Sequence, residues 1–414
     1  MLSVMREILL LTTFNNLSWH KLKDFGDSCW LKMKTVGVLG LGPAGIVTVK
    51  ELKAAGIDVT GFDRNSDAGG RWSLEGDMGI YKELHLNGSR RYEAFSDFPW
   101  EPDTIPDHAE DYAGVYPHCS EAKSYFQAYC KHFDLLPNFQ LSTEIVSISE
   151  TDDKKWVVVT RGTSNQRNEA TYTFDALVVC TGNQAKPVHP LKDTVLSEFT
   201  GRLLHSAELK SMKEFQGQKV LVVGSSISGA DATSSLVTYG GCSKIVNCIR
   251  KLPYHAQPVS STTGNTLEDE LFSRLAAWAD PYIPAHIGRQ GLKGEVLKHW
   301  PQQVPPELAD GLEPHPDPGL AGFSPSRNYV DLLLAGKFSI KAGLASAKGS
   351  TVTFNDGTKQ DFDAIICCTG YEADLSFLPK SIFDKVAYTK PHSKQLGVQL
   401  YKHTLGKPSE PLLL

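Results

Sequence analysis

Residues 34–63, KTVGVLGLGPAGIVTVKELKAAGIDVTGFD, constrain the fold more than any other stretch of this chain. Thr35 to Gly40 fills in with Val36, Val38 and Leu39 as a buried strand would. Ile46, Val49 and Leu52 then recur on one helical face until Gly56 stops the helix, and Ile57–Asp63 reads as a second strand. The turn between the first strand and the helix is Gly40-Leu41-Gly42-Pro43-Ala44-Gly45, so a complete βαβ unit carries a Gly-x-Gly-x-x-Gly fingerprint in its expected place. Gly40 permits the tight turn, Gly42 lets backbone approach a pyrophosphate, and Gly45 lets helix and strand pack closely. Pro43 suits a first helical turn because its missing N–H has no intrahelical partner there. The helix N-terminus offers amides and partial positive charge to a diphosphate. Asp63, closing the second strand, is placed to accept hydrogen bonds from both hydroxyls of an adenosine ribose.

A second nucleotide unit follows. Gln218–Val223 reads as a buried strand, Gly224-Ser225-Ser226-Ile227-Ser228-Gly229 as its turn, and Ala230–Leu236 as a helix. Ser226 stands where the middle glycine is usual. The next strand, Lys244–Ile249, ends in Arg250 and Lys251 instead of an acid. A cation there suits a 2′-phosphate and favours NADP over NAD; the competing reading is a solvated basic strand end.

Between and after these units the chain is readable in pieces. Gly69-Gly70-Arg71-Trp72 follows the acid of the first unit, where a glycine pair can pass backbone close to a cofactor and a large ring can cover it. Residues 85–100, HLNGSRRYEAFSDFPW, show no clean period and read as an ordered loop at a site. Ala122–Phe133 is an amphipathic helix whose Tyr125, Phe126, Tyr129 and Phe133 stripe reads as core. Short strands are expected at 140–149, 155–160 and 172–181. FDALVVCTGN at 174–183 returns as FDAIICCTGY at 362–371 with six identities in ten positions. That repeat suggests that the chain leaves the first unit after one copy and re-enters it near the other. Residues 253–328, rich in Pro and Gly with one helical stretch at 267–279, read as an insertion that either roofs an entrance or pads the surface.

Composition excludes several classes. A chain of 414 residues has room for two or three domains, and a net charge of -5 with no long basic run argues against nucleic acid and anionic membranes. Eight cysteines contain no CxxC and no metal spacing with histidine, so no metal site is expected and the thiols read as buried small hydrophobes. No apolar run reaches the ~20 residues of a membrane span. Residues 1–32 do not fit the pattern of the rest and read as an N-terminal extension without assigned function. Met33 directly precedes the first strand.

Two dinucleotide units, one ending in an acid and one in a base, suggest a flavin enzyme reduced by a nicotinamide: FAD at the first, NADPH at the second. A disulfide reductase is disfavoured by the missing cysteine pair. At this point the chain resembles the flavin-containing monooxygenases over about residues 33–403. The likeness rests on GLGPAG at 40–45, Asp63, GGRW at 69–72, LNGS…FSDFP at 86–99, VVCTGN at 178–183, the second turn at 224–229 and CTGY at 368–371. It includes the linker FxGxxxH at Phe199, Gly201 and His205. The last fingerprint position is Leu209, neither the Tyr or Phe of this family nor the Trp of the related Baeyer–Villiger enzymes.

The resemblance implies an α/β fold of two Rossmann-like dinucleotide-binding domains, an FAD domain of three-layer ββα type with an inserted NADP domain. The expected division is 33–198 and 329–414 for FAD and 199–328 for NADP. It implies that NADPH reduces FAD, that a flavin hydroperoxide forms with O2, and that oxygen passes to nitrogen or sulfur of a small nucleophilic molecule. Asn87 matches the family asparagine at the reactive edge of the flavin, where a neutral amide donates a hydrogen bond without supplying an acidic proton. Read in isolation, Asn87-Gly88 is an ordinary turn. Implied cofactor contacts also include Arg71 and Trp72 lining the FAD, Ser228 and Gly229 at the NADP phosphate turn, and Gly70, Gly88, Val146, Thr181, Gly182, Gly224, Ser225, Ser226, Arg250, Thr369 and Gly370. His205, also among the implied cofactor-binding residues, reads as a hinge residue between domains, structural or cofactor-adjacent, and not an acid–base catalyst. The family usually continues past the SEPLLL end into a strand closing the FAD domain, and its membrane-bound members carry an apolar tail. A cytoplasmic protein is therefore expected, with oligomeric state open and a homodimer among the options. Two rival readings are a Baeyer–Villiger ketone oxygenase and a truncated, inactive flavoprotein.

Overall fold

The computed structural model describes residues 34–73, 80–100, 116–163, 168–256, 304–313, 323–325, 328–389, 396–398 and 412–413. The expected extension at 1–32 and the helical stretch at 267–279 lie outside them.

The first unit opens with β1 (Thr35–Leu39), α1 (Pro43–Ala54) and β2 (Asp58–Phe62). A short helix, α2 (Arg90–Glu93), and a longer one, α3 (Cys119–His132), precede β3 (Phe139–Gln140). An antiparallel meander of β4 (Thr143–Glu150), β5 (Trp156–Gly162) and β6 (Glu169–Phe174) leads into β7 (Ala176–Val179). Strands β7, β1, β2 and β3 form a parallel sheet in that order. Its two faces are buried differently. Val36 and Val38 pack with Ile46 and Val49 of α1 and with Tyr125, Phe126 and Tyr129 of α3. Leu39, Phe62, Leu177 and Val179 pack instead against Ile148, Trp156, Val158 and Phe174 of the meander. Helices, parallel sheet and antiparallel sheet make three layers, as strands apolar on both sides require.

The second unit repeats this plan. β8 (Arg202–His205) and β9 (Lys219–Val223) are followed by α4 (Ile227–Ser235), β10 (Lys244–Ile249), α5 (Tyr329–Leu334) and β11 (Ser339–Ala342). A meander of β12 (Leu344–Gly349), β13 (Thr351–Phe354) and β14 (Lys359–Asp361) then feeds β15 (Ala364–Cys367). The parallel sheet is ordered β8, β15, β9, β10, β11. One face packs on α4 and α5 through Val220, Val222, Ala230, Tyr329 and Val330, and the other on the meander through Leu221, Val246, Val352 and Phe354. The fold is thus α/β with two Rossmann-like units, the second inserted into the first.

The repeat at 174–183 and 362–371 does bracket the excursion, since the chain leaves the first unit after one copy and returns to it just past the other, but the two copies lie in different sheets. β7 lies beside β1 and β15 lies beside β9, so the copies occupy equivalent places in two sheets. The same place imposes the same chemistry. Asp175 accepts from the backbone N–H of Lys34 and Thr35 at 2.8 and 3.0 Å, and Asp363 from that of Lys219 at 2.7 Å. At the other strand end, a Cβ on Gly40 would meet the Cys180 carbonyl oxygen at 2.5 Å, and one on Gly224 the Cys368 oxygen at 2.5 Å. Both glycines have φ above +90°. Strands through Cys367 therefore belong to the second unit, which corrects the expected return at residue 329. The return comes later, where Ala373, Leu375, Leu378 and Ile382 join the core of the first unit. Finally β16 (Leu412–Leu413) pairs parallel with β7 and widens the first sheet.

Candidate functional site

The first dinucleotide turn is built around contacts that only glycines allow. Gly40 N–H donates to the Phe62 carbonyl and Gly69 N–H to that of Leu41, each at 2.8 Å, which draws the Gly69–Gly70 bend against the turn. A Cβ on Gly70 would lie 2.8 Å from the Gly42 Cα, and one on Gly45 would lie 1.8 Å from the Gly40 oxygen. Gly42 differs: its Cβ would meet nothing nearer than the Gly70 Cα at 3.7 Å. The face of the turn in front of Gly42 is open. Pro43 takes the first helical position and Ala44 accepts from the Thr48 hydroxyl at 2.8 Å.

Asp63 is buried at the end of β2. One carboxylate oxygen accepts from Leu41 N–H at 2.8 Å and the other from Asn65 N–H at 2.9 Å. Burial pushes its carboxyl up, and these two backbone donors and nearby Arg64 oppose that rise. Each oxygen retains acceptor capacity. The Asn65 amide donates to the Gly70 carbonyl at 3.2 Å, fixing the bend that presents Arg71 and Trp72. Trp72 packs against the first core. Arg71 donates to the Gln184 carbonyl at 3.3 Å and lies 5.3 Å from the centroid of the Tyr371 ring, a cation–π distance. Burial lowers the Arg71 pKa.

Tyr371 gathers three motifs that spacing leaves apart. Its hydroxyl lies 3.2 Å from the Ser206 hydroxyl, and the His205 ring stands perpendicular to its ring at 5.0 Å. His205 Nδ1 accepts from Ala207 N–H at 3.1 Å, which leaves Nε2 to donate to the Gly370 carbonyl at 3.1 Å. The imidazole is thereby held neutral in one tautomer, and burial together with His189 pushes its pKa down to about 4. This ties the linker to the CTGY loop, with both ring nitrogens engaged. Thr369 donates to the Val188 carbonyl at 2.6 Å, while Gly182, with φ of +77°, has open space around it. Thr181 lies two residues past the end of β7. Val146 is the extra residue where the β4–β5 register shifts between Ile145 and Ser147, so it stands clear of the ladder as a bulge.

Leu86-Asn87-Gly88-Ser89 is anchored from both sides. Leu86 N–H donates to the Pro117 carbonyl at 2.8 Å, and Ser89 caps α2 through Tyr92 N–H. A Cβ on Gly88 would lie 2.0 Å from a Glu93 oxygen, so the turn needs glycine unless Glu93 moves. Downstream, the Tyr125 hydroxyl accepts from Phe95 N–H and donates to the Phe98 carbonyl, both at 2.7 Å, and Trp100 stacks on its ring at 4.3 Å. The half-buried Asn87 side chain has no hydrogen-bond partner among the described residues.

At the second turn, Ser226, Ile227 and Ser228 are exposed, as are Arg250 and Lys251. A Cβ on Gly229 would lie 2.2 Å from the Gly224 oxygen, reproducing the Gly45–Gly40 contact. Ser225 precedes them at the start of the turn. Sequence reading missed what supports this turn. Asn247, fully buried within apolar β10, donates to the Val222 and Gly224 carbonyls at 3.0 and 2.9 Å and accepts from the Tyr329 hydroxyl at 2.5 Å. A polar residue amid KIVNCI was the available signal. The cysteines are free among the described residues, and burial pushes the thiols of Cys119, Cys180, Cys242 and Cys367 up to about 11, away from redox reactivity. No helix among the described residues is long and apolar enough to cross a membrane.

Paired Rossmann units joined by such a linker define a protein of the two-dinucleotide flavoprotein class. A family model described as flavin-binding monooxygenase-like matches residues 33–251, and the chain belongs to that family. Dimethylaniline monooxygenase (N-oxide-forming) 2 of Mus musculus is 29% identical over 363 residues, covering 84% of this chain and 64% of that relative. Flavin-containing monooxygenase 1 of Homo sapiens is 27% identical over 369 residues with the same coverage, 84% and 64%. The chain thus spans somewhat less than two thirds of these relatives' length. Among solved structures, S-allyl-L-cysteine S-oxygenase from Allium sativum is similar with a TM-score of 0.60 at 20% identity, covering 92% of this chain and 71% of that one. An open structure of cyclohexanone monooxygenase is similar with a TM-score of 0.60 at 19% identity, covering 82% and 74%. These likenesses are of fold.

Proposed function

We propose that this chain is an FAD- and NADPH-dependent monooxygenase that transfers one oxygen atom of O2 to nitrogen or sulfur of a small molecule. The observation that carries this reading is the pairing of two complete dinucleotide turns in one chain, one ending in buried Asp63 and the other in exposed Arg250 and Lys251. The relatives named as dimethylaniline and flavin-containing monooxygenases support the reaction class.

The residues of the first turn fit FAD. The open face before Gly42 admits a diphosphate to the amides at the start of α1, and Asp63 has acceptor sites left for a ribose. Gly40, Gly42, Gly45, Asp63, Gly70, Arg71 and Trp72 would hold it. Gly224, Ser225, Ser226, Ser228 and Gly229 would hold the diphosphate of NADPH, and Arg250 its 2′-phosphate. Bound flavin supplies the reduction and oxygen chemistry itself. The protein's part is to bind, orient and keep out water. Asn87 presents a neutral amide that donates a hydrogen bond at the reacting edge without delivering a proton. His205, with both nitrogens occupied, keeps the linker in place and moves no proton.

The test is product analysis of the purified protein loaded with FAD, given NADPH, O2 and in turn a thioether, a tertiary amine and a cyclic ketone. Sulfoxide or N-oxide formed in step with NADPH consumed is the expected result. Replacing Asn87 by Ala is expected to divert most NADPH consumption to hydrogen peroxide. Lactone from the ketone with no sulfoxide or N-oxide, or a protein that binds no flavin, overturns the proposal.

A further inference from the structure

Residues 81–84 lie along the second unit a few residues before Asn87, and Leu86 is back in the core of the first. Tyr81 is 4% exposed and belongs to the core of the second unit, with Leu84 packed against it. Lys82 N–H donates to the Lys210 carbonyl at 2.9 Å, and Glu83 accepts from the Ser211 hydroxyl at 2.7 Å and Met212 N–H at 3.0 Å. The Tyr81 hydroxyl donates to Asp231 at 2.7 Å and lies 3.1 Å from the Ser235 hydroxyl. From the other side the first unit grips the same residues: His118 Nε2 donates to the Lys82 carbonyl at 2.6 Å and Cys119 N–H to that of Leu84 at 2.9 Å. The segment is a strap fastened to both units, and it ends at the Asn87 turn.

Asp231 lies on α4, one turn beyond Ile227, the residue that opens this helix at the Gly224–Gly229 turn. Asp231 stands in the second turn of the helix, but its side chain tilts back toward the N-terminus, so its carboxylate weakly opposes an anion bound there. The Tyr81 hydroxyl offsets that charge and holds the carboxylate in the seam. We propose that Tyr81, acting through Asp231, is a positioning residue for the second dinucleotide turn. This rests on the reading of Gly224–Gly229 as the NADP turn.

Titration of flavin-free protein with NADP+ by calorimetry tests it. Tyr81→Phe keeps the buried ring and removes one donor, and is expected to weaken binding about twofold, because the donor offsets no more than the charge that Asp231 carries. Asp231→Asn keeps an acceptor for Tyr81 and removes the charge; it is expected to tighten binding about twofold, and Tyr81→Phe added to it has little further effect. In the loaded enzyme Tyr81→Phe raises KM for NADPH with kcat nearly unchanged. Equal affinity of Tyr81→Phe and wild type, or weakened binding in Asp231→Asn, overturns the inference while leaving the NADP reading standing. Wild-type protein that fails to bind NADP+ overturns both. Should Tyr81→Phe not fold, Asp231→Asn alone decides, since a merely structural contact predicts a loss there and the inference a gain.

Discussion

Alanine at Gly42 and at Gly45, three residues apart in one turn, is expected to do opposite things. At Gly45 the new Cβ falls 1.8 Å from the Gly40 oxygen, 2.9 Å from its carbonyl carbon and 3.4 Å from the Cys180 Cβ. All but the last are backbone atoms, and Gly40 is itself wedged against the Cys180 carbonyl. The turn has nowhere to yield, so overpacking costs about 2 kcal/mol or more. At Gly42 the backbone has φ of -71° and ψ of -175°, which alanine adopts freely, and the nearest atom is 3.7 Å away. Alanine is a poorer N-cap than glycine by roughly 0.5–1 kcal/mol, and the stiffer unfolded chain returns a similar ~0.4–1 kcal/mol. Stability should change by no more than about 0.5 kcal/mol. Yet the methyl then occupies the open face across which a pyrophosphate must approach, and FAD affinity falls about tenfold or more. The assay is a urea unfolding curve of each flavin-free variant alongside an FAD titration followed by quenching of flavin fluorescence. Gly42→Ala that unfolds as early as Gly45→Ala, or that binds FAD like wild type, refutes the division of labour.

Two further outcomes follow from the site. His205 is held neutral with a pKa of about 4, below the ~6.5 of an unfolded histidine. The unfolded chain therefore takes up the proton first. Its contribution is full above about pH 6.5 and is lost as pH falls toward 4, by about 3 kcal/mol in all. Urea midpoints of wild type and His205→Gln at pH 7.5 and 4.5 check this: the gap between the two proteins should narrow at the lower pH, and a constant gap contradicts it. Arg250→Ala should raise KM for NADPH about tenfold while leaving NADH within about twofold, because only the former carries a 2′-phosphate. Equal losses for both nucleotides place Arg250 elsewhere.

Much of this protein was legible along the chain because the relevant physics is local. A strand, a helix and a turn with glycines at fixed offsets are settled by residues within one βαβ unit, so both turns and the residues closing their second strands could be placed directly. α3 was likewise expected from its aromatic period, and the structure begins it three residues earlier, at Cys119, where His118 and Glu121 form a capping box. The 174–183 and 362–371 repeat shows where the chain leaves and rejoins the first unit, but not which sheet holds its second copy. Six shared residues say that two strands meet the same environment; they do not say in which sheet.

The sequence by itself determined that two dinucleotide turns exist, that the first ends in an acid and the second in a base, and that the parallel strands are buried on both faces. Tertiary structure alone decided strand order, which assigns Ala364–Cys367 to the second unit, and the crossing of residues 81–86 between units. It also decided the tautomer of His205, set by a carbonyl 165 residues away, and the support of the second turn by Asn247 and Tyr329, which are 82 residues apart. The reason is that hydrogen bonding and burial act through space. Periodicity and turn chemistry are carried by neighbours in sequence, whereas a buried polar group takes whichever partner the fold brings within about 3 Å.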